Sequence, residues 1–444
     1  MNLISDSKTG LASQLGKVWR LSIPAILTQI ATIIMQYIDS AMVGKLGANA
    51  SAAIGLVAST TWLMNGVGMA VSTGFSVQVA QYTGANAAKD ARRVVKHGLI
   101  FASLFALILL IFGVCISSPL PRWLGSDRVL WKDASAYFLV FACSLPFIGL
   151  QRMACSFLQC SGNMIVPSIL NALMCGLDVL FNALLIPRYG VLGAALGTAL
   201  SHLTACLIAL WFCCFRSKDL RINRKEPCRL DMSILKRAMR IGMPVGAEEV
   251  AITGAMVVST RIMAPLGPVA IAAHSFAITA ESLCYMPGFG VGAAATTLVG
   301  QSIGAGDRRQ ARQLAFISTA FGAVTMALTG IIMYIGCPWV FRLLTPSAEV
   351  QTTAISILRI GLLAEPLYGV SIVASGGLHG AEDTLVPSLL NLFSIWVVRI
   401  GLSLLMVGPL GITGVWIAMA VELCIRGLLL LARQIWSPKL RIPK

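Results

Sequence analysis

An acidic residue lies inside the first long apolar stretch of the chain. The stretch runs from Thr28 to Gly47, and Asp39 lies within it. A carboxylate in the hydrocarbon of a bilayer costs about 2.5 kcal/mol or more on insertion scales, so such a group faces protein or water. Intramembrane acids typically belong to ion or proton sites. We therefore expect Asp39 to bind a coupling ion, the alternative being a carboxylate wetted by interfacial water near the helix end.

A later apolar stretch carries three polar residues at helical spacing. Asn171, Asp178 and Asn182 are seven and four residues apart, so one face of a helix carries all three. At about 1.5 Å of rise per residue, Asp178 and Asn182 reach a depth similar to that of Asp39, and Thr198 of the following stretch does too. Their oxygens suit Na⁺, with Asp39, Asp178 and Asn182 as ligands, whereas two neighbouring carboxyl groups suit a proton relay. The alternative for the two Asn is that they only bridge helices.

The second half of the chain carries its own acids within apolar stretches. We expect Glu249, Glu281 and Glu365 to attract cationic substrates in a cavity. Glu422 precedes Arg426 by four residues, a spacing that predicts a structural ion pair on one helix.

Aromatic and methionine side chains complete the predicted cavity. Met35, Tyr37 and Tyr368 can stack on, or mould around, flat lipophilic cations. The alternative for each of them is ordinary packing between helices.

The elements that position these residues are membrane-spanning helices. The 444 residues are 57% hydrophobic and only 12% charged, whereas a soluble domain would carry about 25% charged residues. We predict an all-α polytopic membrane protein with twelve transmembrane helices. The apolar spans run approximately over residues 18–43, 50–83, 94–116, 134–160, 164–186, 190–215, 240–263, 269–303, 315–341, 350–378, 386–407 and 410–432.

The formal net charge of +16 is explained by the basic residues of the loops, whose distribution indicates the topology in the membrane. With the N-terminus inside the cell, 23 Lys and Arg fall on the cytoplasmic side and six on the opposite side. The positive-inside rule then places both termini in the cytoplasm of a multi-pass protein of the cell membrane. No nucleic-acid partner is needed to explain the basic charge.

The sequence contains an internal duplication, in which residues of the second half match residues 220 positions earlier. Positions that match in Pro, Gly, Gln, Asn and Arg are Arg20/Arg240, Pro24/Pro244, Gly47/Gly267, Gln81/Gln301, Arg92/Arg312, Pro146/Pro366, Pro167/Pro387 and Asn171/Asn391. Six helices per unit give two pseudo-symmetric lobes of equal orientation, a layout typical of transporters with a site between halves. We predict an N-terminal lobe at 1–215, a cytoplasmic linker at 216–232 and a C-terminal lobe at 233–444.

The predicted ion site is not repeated. At the same offset Asp39 becomes Ser259, Asp178 becomes Val398 and Asn182 becomes Leu402. The two lobes are therefore expected to have different functions in transport.

The repeated segments resemble the multidrug and toxic compound extrusion (MATE) family, across residues 17 to 432. The similar segments are IDSAMVGKLG, QYTGANAAKDARR, GQSIGAGDRRQAR, PSILN, PSLLN and GVLGAALGTALS. The resemblance implies a Na⁺- or H⁺-coupled antiporter that exports organic cations by alternating access. It also implies an Asp in the first helix, which Asp39 matches, and an Asn/Asp pair in the fifth. That pair stands here in the reverse order, as Asp178 and Asn182.

Other functions are less well supported by the sequence. A lipid-linked saccharide flippase of the same superfamily is expected to have a basic cavity and extra helices. A membrane enzyme lacks support because the four His are scattered, and no GxxxxGK[ST] motif indicates ATP use. We therefore expect a monomeric transporter of small molecules, in contact with membrane lipids and without a cofactor apart from its coupling ion.

Overall fold

The computed structural model describes residues 10–217, 219–222, 231–345 and 347–441, and these residues are almost entirely helical, with no β-strand. Apolar segments in a bilayer form helices because each backbone N–H and C=O must find a partner within the chain. The helices are α1 (Leu11–Gly44), α2 (Ala48–Gly84), α3 (Ala88–Ser117), α4 (Leu120–Trp123), α5 (Arg128–Cys160), α6 (Ile165–Tyr189), α7 (Val191–Trp211), α8 (Met232–Met263), α9 (Pro268–Gly304), α10 (Arg308–Leu344), α11 (Ala348–Leu362), α12 (Glu365–Gly380), α13 (Leu385–Phe393) and α14 (Ile400–Trp436).

Among the described residues, ten helices are long and apolar enough to cross a membrane. The pair α11 and α12 is bent by 54° at a short break and together counts as one further span. The last of the ten, Leu385–Trp436, joins α13 to α14 through a π-helical turn and contains non-helical backbone at Gly411. Dividing it there accounts for the twelve spans, and the predicted all-α polytopic membrane fold is confirmed.

The duplication is visible in the backbone as well as in the sequence. Four pairs of residues with positive φ occupy matched positions of the two repeats: Gly47 and Gly267, Asn86 and Gly306, and Gly162 and Glu382 at the offset of 220 residues, and Gly190 and Gly411 at 221. Gly190 and Gly411 even share nearly the same angle, 59° and 58°. Residues other than Gly and Asn rarely adopt positive φ. Its recurrence at matched positions therefore shows that the two repeats share the same backbone turns.

The described chain divides into two compact units. Ala31–Gly246 forms the N-unit, and Met1–Ile30 with Ala247–Lys444 forms the C-unit, so α1 and α8 each contribute to both. Most of the predicted linker, namely residue 218 and residues 223–230, lies outside the described residues. The lobe boundaries at 215 and 233 stay a prediction.

A tight helical hairpin positions α7 against α6 in the N-unit. Gly190 makes the turn with φ of 59°, and a Cβ on Gly193 would overlap the carbonyl group of Leu185. Only a residue without a side chain permits this approach. The hairpin therefore brings the polar residues of α7 against those of α6.

Candidate ion-coupling site

Three helices of the N-unit bring four polar side chains together. Asp39 comes from α1, Asp178 and Asn182 come from successive turns of α6, and Ser201 comes from α7. The Asn182 amide nitrogen donates to Asp39 Oδ1 at 2.9 Å and to Asp178 Oδ2 at 3.1 Å. The Ser201 hydroxyl donates to Asp178 Oδ1 at 3.2 Å. One amide thus bridges two carboxyl groups from different helices.

The two carboxyl groups differ in their access to solvent. Asp178 is completely buried and Asn182 is 1% exposed, whereas Asp39 is only half-buried. The Asn182 amide holds the carboxyl groups of Asp39 and Asp178 close together, because its one NH₂ group donates to an oxygen of each. Two adjacent carboxylates that are partly or wholly removed from water would repel each other strongly, and a shared proton removes that repulsion.

The remaining atom of the bridging amide faces a glycine. Asn182 Oδ1 is buried and makes no hydrogen bond within the described residues. A Cβ on Gly197 of α7 would overlap this oxygen. Gly197 therefore leaves the space in which the amide adopts its orientation, with its NH₂ group toward the two carboxyl groups.

We predict that Gly197→Ala disables this site while the protein still folds. The added methyl group displaces the Asn182 amide, and such overpacking costs about 1–3 kcal/mol. Gradient-driven efflux should fall at least tenfold at an unchanged membrane level. Gly176→Ala on α6 is the matched control, because its Cβ meets no atom within 4 Å. Equal efflux by the two variants would contradict the positioning role.

Two further residues of the predicted site lie outside this cluster. The Asn171 amide donates to the hydroxyl of Thr32 at 3.0 Å, which ties α6 to α1 two turns before Asp178. Thr198 contributes its backbone carbonyl, which accepts from the Ser201 hydroxyl at 2.8 Å. The hydroxyl that reaches Asp178 is thus that of Ser201, which the sequence analysis did not single out. Its position three residues after Thr198, on the same helical face, was the available signal.

Met35 and Tyr37, the two predicted cavity residues of the N-unit, differ in burial. Met35 is 9% exposed and packs in a small apolar cluster with Met174, Cys175 and Ala205. Tyr37 is half-buried.

The C-unit contains two fully enclosed acids, Glu281 on α9 and Glu365 on α12. They are 3% and 0% exposed, and they are close enough to interact electrostatically. Neither oxygen of Glu365, nor Oε1 of Glu281, has a hydrogen-bond partner within the described residues. Arg399 is a cation that attracts Glu281. Glu365 begins α12 directly after the 54° bend, so the acid lies at the break in a span.

Other polar groups of the C-unit are paired. Arg426 Nε lies 3.0 Å from Glu422 Oε1, which confirms the predicted ion pair, and the Ser394 hydroxyl donates to the same oxygen at 2.7 Å. The Arg426 guanidinium also covers the ring of Tyr368, which contacts Tyr285 at a centroid distance of 5.7 Å. Tyr368 is therefore engaged with neighbouring side chains.

The two acids after Pro244 have different surroundings. Glu249 is half-buried on α8, and its carbonyl accepts from the Thr253 hydroxyl at 2.9 Å. Glu248 Oε1 accepts from the Asn391 amide at 2.6 Å. Asn391 is the repeat counterpart of Asn171, so this Asn ties a helix to its neighbour in both repeats.

The donor set of the N-unit site can be compared with the needs of a metal ion. No group of three or more His, Cys, Asp or Glu side chains in the described part of the chain could hold a metal. Around Asp39 and Asp178, the Asn182 amide presents its nitrogen to the carboxyl groups and its oxygen to Gly197. The oxygens that this arrangement brings together are those of the two carboxyl groups and of the Ser201 hydroxyl.

Comparison with known proteins identifies the family. The MatE family model matches residues 24–184 and 244–405, two copies whose starts are 220 residues apart, as in the repeat. The probable multidrug resistance protein NorM of Thermotoga maritima is 26% identical over 420 residues, covering 92% of this chain and 90% of the relative. That of Rhodopseudomonas palustris is 28% identical over 448 residues, covering 96% and 92%.

Solved structures share the fold. An outward-facing conformation of a multidrug resistance MATE family transporter of the MOP superfamily superposes with a TM-score of 0.92 at 20% identity, over 97% of both chains. A MOP superfamily transporter from Pyrococcus furiosus gives a TM-score of 0.91 at 20% identity, over 95% of both chains. The family model covers well over half of the sequence. The chain therefore belongs to the MatE family, a family of multi-pass membrane transporters, and it is not an enzyme.

Proposed function

We propose that this protein is a proton-coupled antiporter that exports lipophilic organic cations across the cell membrane by alternating access. The curated relatives named above are multidrug resistance proteins, which supports drug export. The observation that carries the coupling proposal is the pair of acids, Asp39 and Asp178, bridged by one buried amide. We assign the coupling ion to this pair.

The orientation of Asn182 supports a proton over Na⁺. Its NH₂ group donates to both carboxyl groups, so it stabilises negative charge on each without supplying an oxygen ligand. The pair can then hold one proton between Asp39 and Asp178 and release it without moving the amide. Asp39, the half-buried member, exchanges the proton with water, while Asp178 stays enclosed.

Coupling follows from competition between the proton and the substrate. When the pair holds its proton, the site carries one negative charge less, and a cationic substrate is bound less tightly. When the proton leaves, the added negative charge favours the cation. Such reciprocal linkage is what an antiporter requires, because each ligand must lower the affinity for the other.

The cavity residues remain part of this proposal. We assign cation attraction to Glu249, Glu281 and Glu365, and apolar contact with the substrate to Met35, Tyr37 and Tyr368. Glu281 and Glu365 support the assignment because a buried carboxyl group without hydrogen bonds is costly and is rarely kept without a function. A cation that reached them would supply the missing partner.

The topology is proposed from charge. Both termini lie in the cytoplasm, because 23 of the loop cations then fall on the cytoplasmic side. The protein works as a monomer on small-molecule substrates, and its outer surface contacts membrane lipids.

Efflux under imposed gradients tests the proposal. In inverted vesicles, a proton gradient should drive the uptake of ethidium, and collapsing that gradient should reverse it. A Na⁺ gradient at equal pH on both sides should drive none. Uptake driven by Na⁺ alone would move the coupling ion from H⁺ to Na⁺, and uptake that requires ATP without an ion gradient would overturn the antiporter mechanism.

A further inference from the structure

A cavity opens in the C-unit where α1 and α10 begin. Its volume is about 560 Å³, within the range of pockets that hold drug-sized ligands. Four polar side chains line it, together with apolar groups of both helices. The polar residues are Gln14, Arg309, Arg312 and Gln313.

The cavity is strongly cationic. Neither Arg309 nor Arg312 forms an ion pair with any residue in the described ranges. The nearest acid along the chain, Asp307, accepts from the backbone N–H of Gln310 at 2.8 Å and so caps α10. The Gln14 amide donates to Gln313 at 2.8 Å, which ties α1 to α10 at the cavity wall. Two guanidinium groups and two amides form a suitable site for a phosphate group.

An apolar surface continues from the cavity along the membrane-spanning part of α10. Ile317 lines the cavity and shares its helical face with Val324 and Leu328, which are 58% and 56% exposed. Trp19 of α1 lies beside this face, with its ring 5.5 Å from that of Phe321. Tryptophan at this level is typical of the membrane interface. The order of phosphate-binding groups, an interfacial ring and apolar surface matches a phospholipid and not a soluble anion.

In the N-unit, residues of the segment before α8 and at its start occupy the position that corresponds to this cavity. The counterparts of Arg309 and Arg312 are Lys89 and Arg92, at the start of α3. There the backbone N–H of Asp231 donates to His97 at 2.9 Å, and Gln78 donates to the carbonyl of Ile234 at 3.2 Å. The polar Gln14 of the C-unit thus corresponds to Ile234, a core residue of the N-unit. Each repeat therefore has a pair of basic residues at this position, and in the C-unit a cavity lies beside that pair.

We propose that the cavity between α1 and α10 binds the phosphate headgroup of an anionic phospholipid. Arg309 and Arg312 contact the phosphate, Gln14 and Gln313 donate further hydrogen bonds, and one acyl chain lies along Val324 and Leu328. The lipid belongs to the leaflet at the end of the membrane where α1 and α10 begin.

Lipid-dependent stability in nanodiscs tests the proposal without any transport assay. The parent should unfold at a higher temperature in phosphatidylglycerol than in phosphatidylcholine, and Arg309→Gln/Arg312→Gln should lose that difference. Each cation near an anionic lipid surface contributes about 1 kcal/mol, so the double variant should bind phosphatidylglycerol roughly 30-fold more weakly. Lys89→Gln/Arg92→Gln is the matched control and should keep the parental difference.

Several outcomes would overturn the lipid site. One is an equal phosphatidylglycerol effect in the parent and in Arg309→Gln/Arg312→Gln. Another is an equal loss in the Lys89→Gln/Arg92→Gln control, which would indicate a general response to net charge. Stabilisation of detergent-solubilised parent by inorganic phosphate to the same extent would indicate a soluble anion as the occupant. Native mass spectrometry should show one retained phosphatidylglycerol in the parent and none in the Arg309→Gln/Arg312→Gln variant.

Discussion

We expect the Asp39→Asn variant to reach the membrane at near-parental levels and to lose gradient-driven efflux. An Asn side chain keeps the size of Asp39 and can still accept from the Asn182 amide, so the contact between α1 and α6 survives. A neutral amide also costs less in the membrane than a carboxylate. The variant cannot take up and release a proton. We expect at least a hundredfold loss of proton-driven efflux, since coupling through one titratable group is removed.

Asp178→Asn should have the same effect as Asp39→Asn, and the double variant should be no worse than either single variant. Both changes remove one shared proton site, so their effects are not additive. Substrate titration in weak buffer provides a second readout: the parent releases about one proton per cation bound, and the variants release none. Asp127→Asn, at an exposed acid before α5, is the control. Normal proton release by a well-expressed Asp39→Asn protein would exclude this pair as the coupling site.

Glu365→Gln should change which substrates are exported. The carboxyl group of Glu365 is 0% exposed, and neither of its oxygens has a hydrogen-bond partner within the described residues. Replacing it with an uncharged amide removes the negative charge that attracts a cation at the break between α11 and α12. Resistance to lipophilic cations should fall at least tenfold, while export of neutral substrates continues. Glu281→Gln should act in the same direction.

A second substitution at Glu365 tests the cost of burying this acid. A buried ionisable group without partners costs free energy, so Glu365→Met, which fills a similar volume, should raise the free energy of unfolding by about 1–3 kcal/mol relative to the parent. Glu349→Gln, at an exposed acid in the first turn of α11, is the control for both measurements. Drug-resistance spectra identical to the parental one would exclude Glu281 and Glu365 from substrate selection.

Most of the fold could be predicted because a bilayer makes hydropathy decisive. Twelve apolar stretches and a repeat offset of 220 residues predicted the spans. Three of the four pairs of positive-φ residues follow that offset, and the fourth is shifted by one residue. The bend between α11 and α12 has a local cause in the sequence. Pro366 lies in the first turn of α12, where its nitrogen has no hydrogen to donate to a carbonyl of α11, and Gly361 lies in the last turn of α11.

The candidate site was predictable where helical spacing reveals it. Asp178 and Asn182 are four residues apart and do act on one face, and Asp39 meets them from another helix. Ser201 was missed because the sequence analysis singled out Thr198, although Ser201 follows three residues later on the same face of the helix. The role of Gly197 was also hidden, since a glycine in a Gly- and Ala-rich segment shows its function only when its neighbour across the hairpin is known.

A single amide that bridges two acids has a consequence for the electrical balance of transport. One shared proton per cycle, exchanged for one monovalent cation, moves no net charge across the membrane. The membrane potential then neither assists nor opposes export, and a difference of one pH unit, about 1.4 kcal/mol, sustains at most a tenfold concentration ratio of substrate. A divalent cation leaving against one proton would carry a net positive charge outward, at a cost of about 2.3 kcal/mol per 100 mV of inside-negative potential. Dications should therefore be the substrates whose export weakens as the membrane becomes polarised.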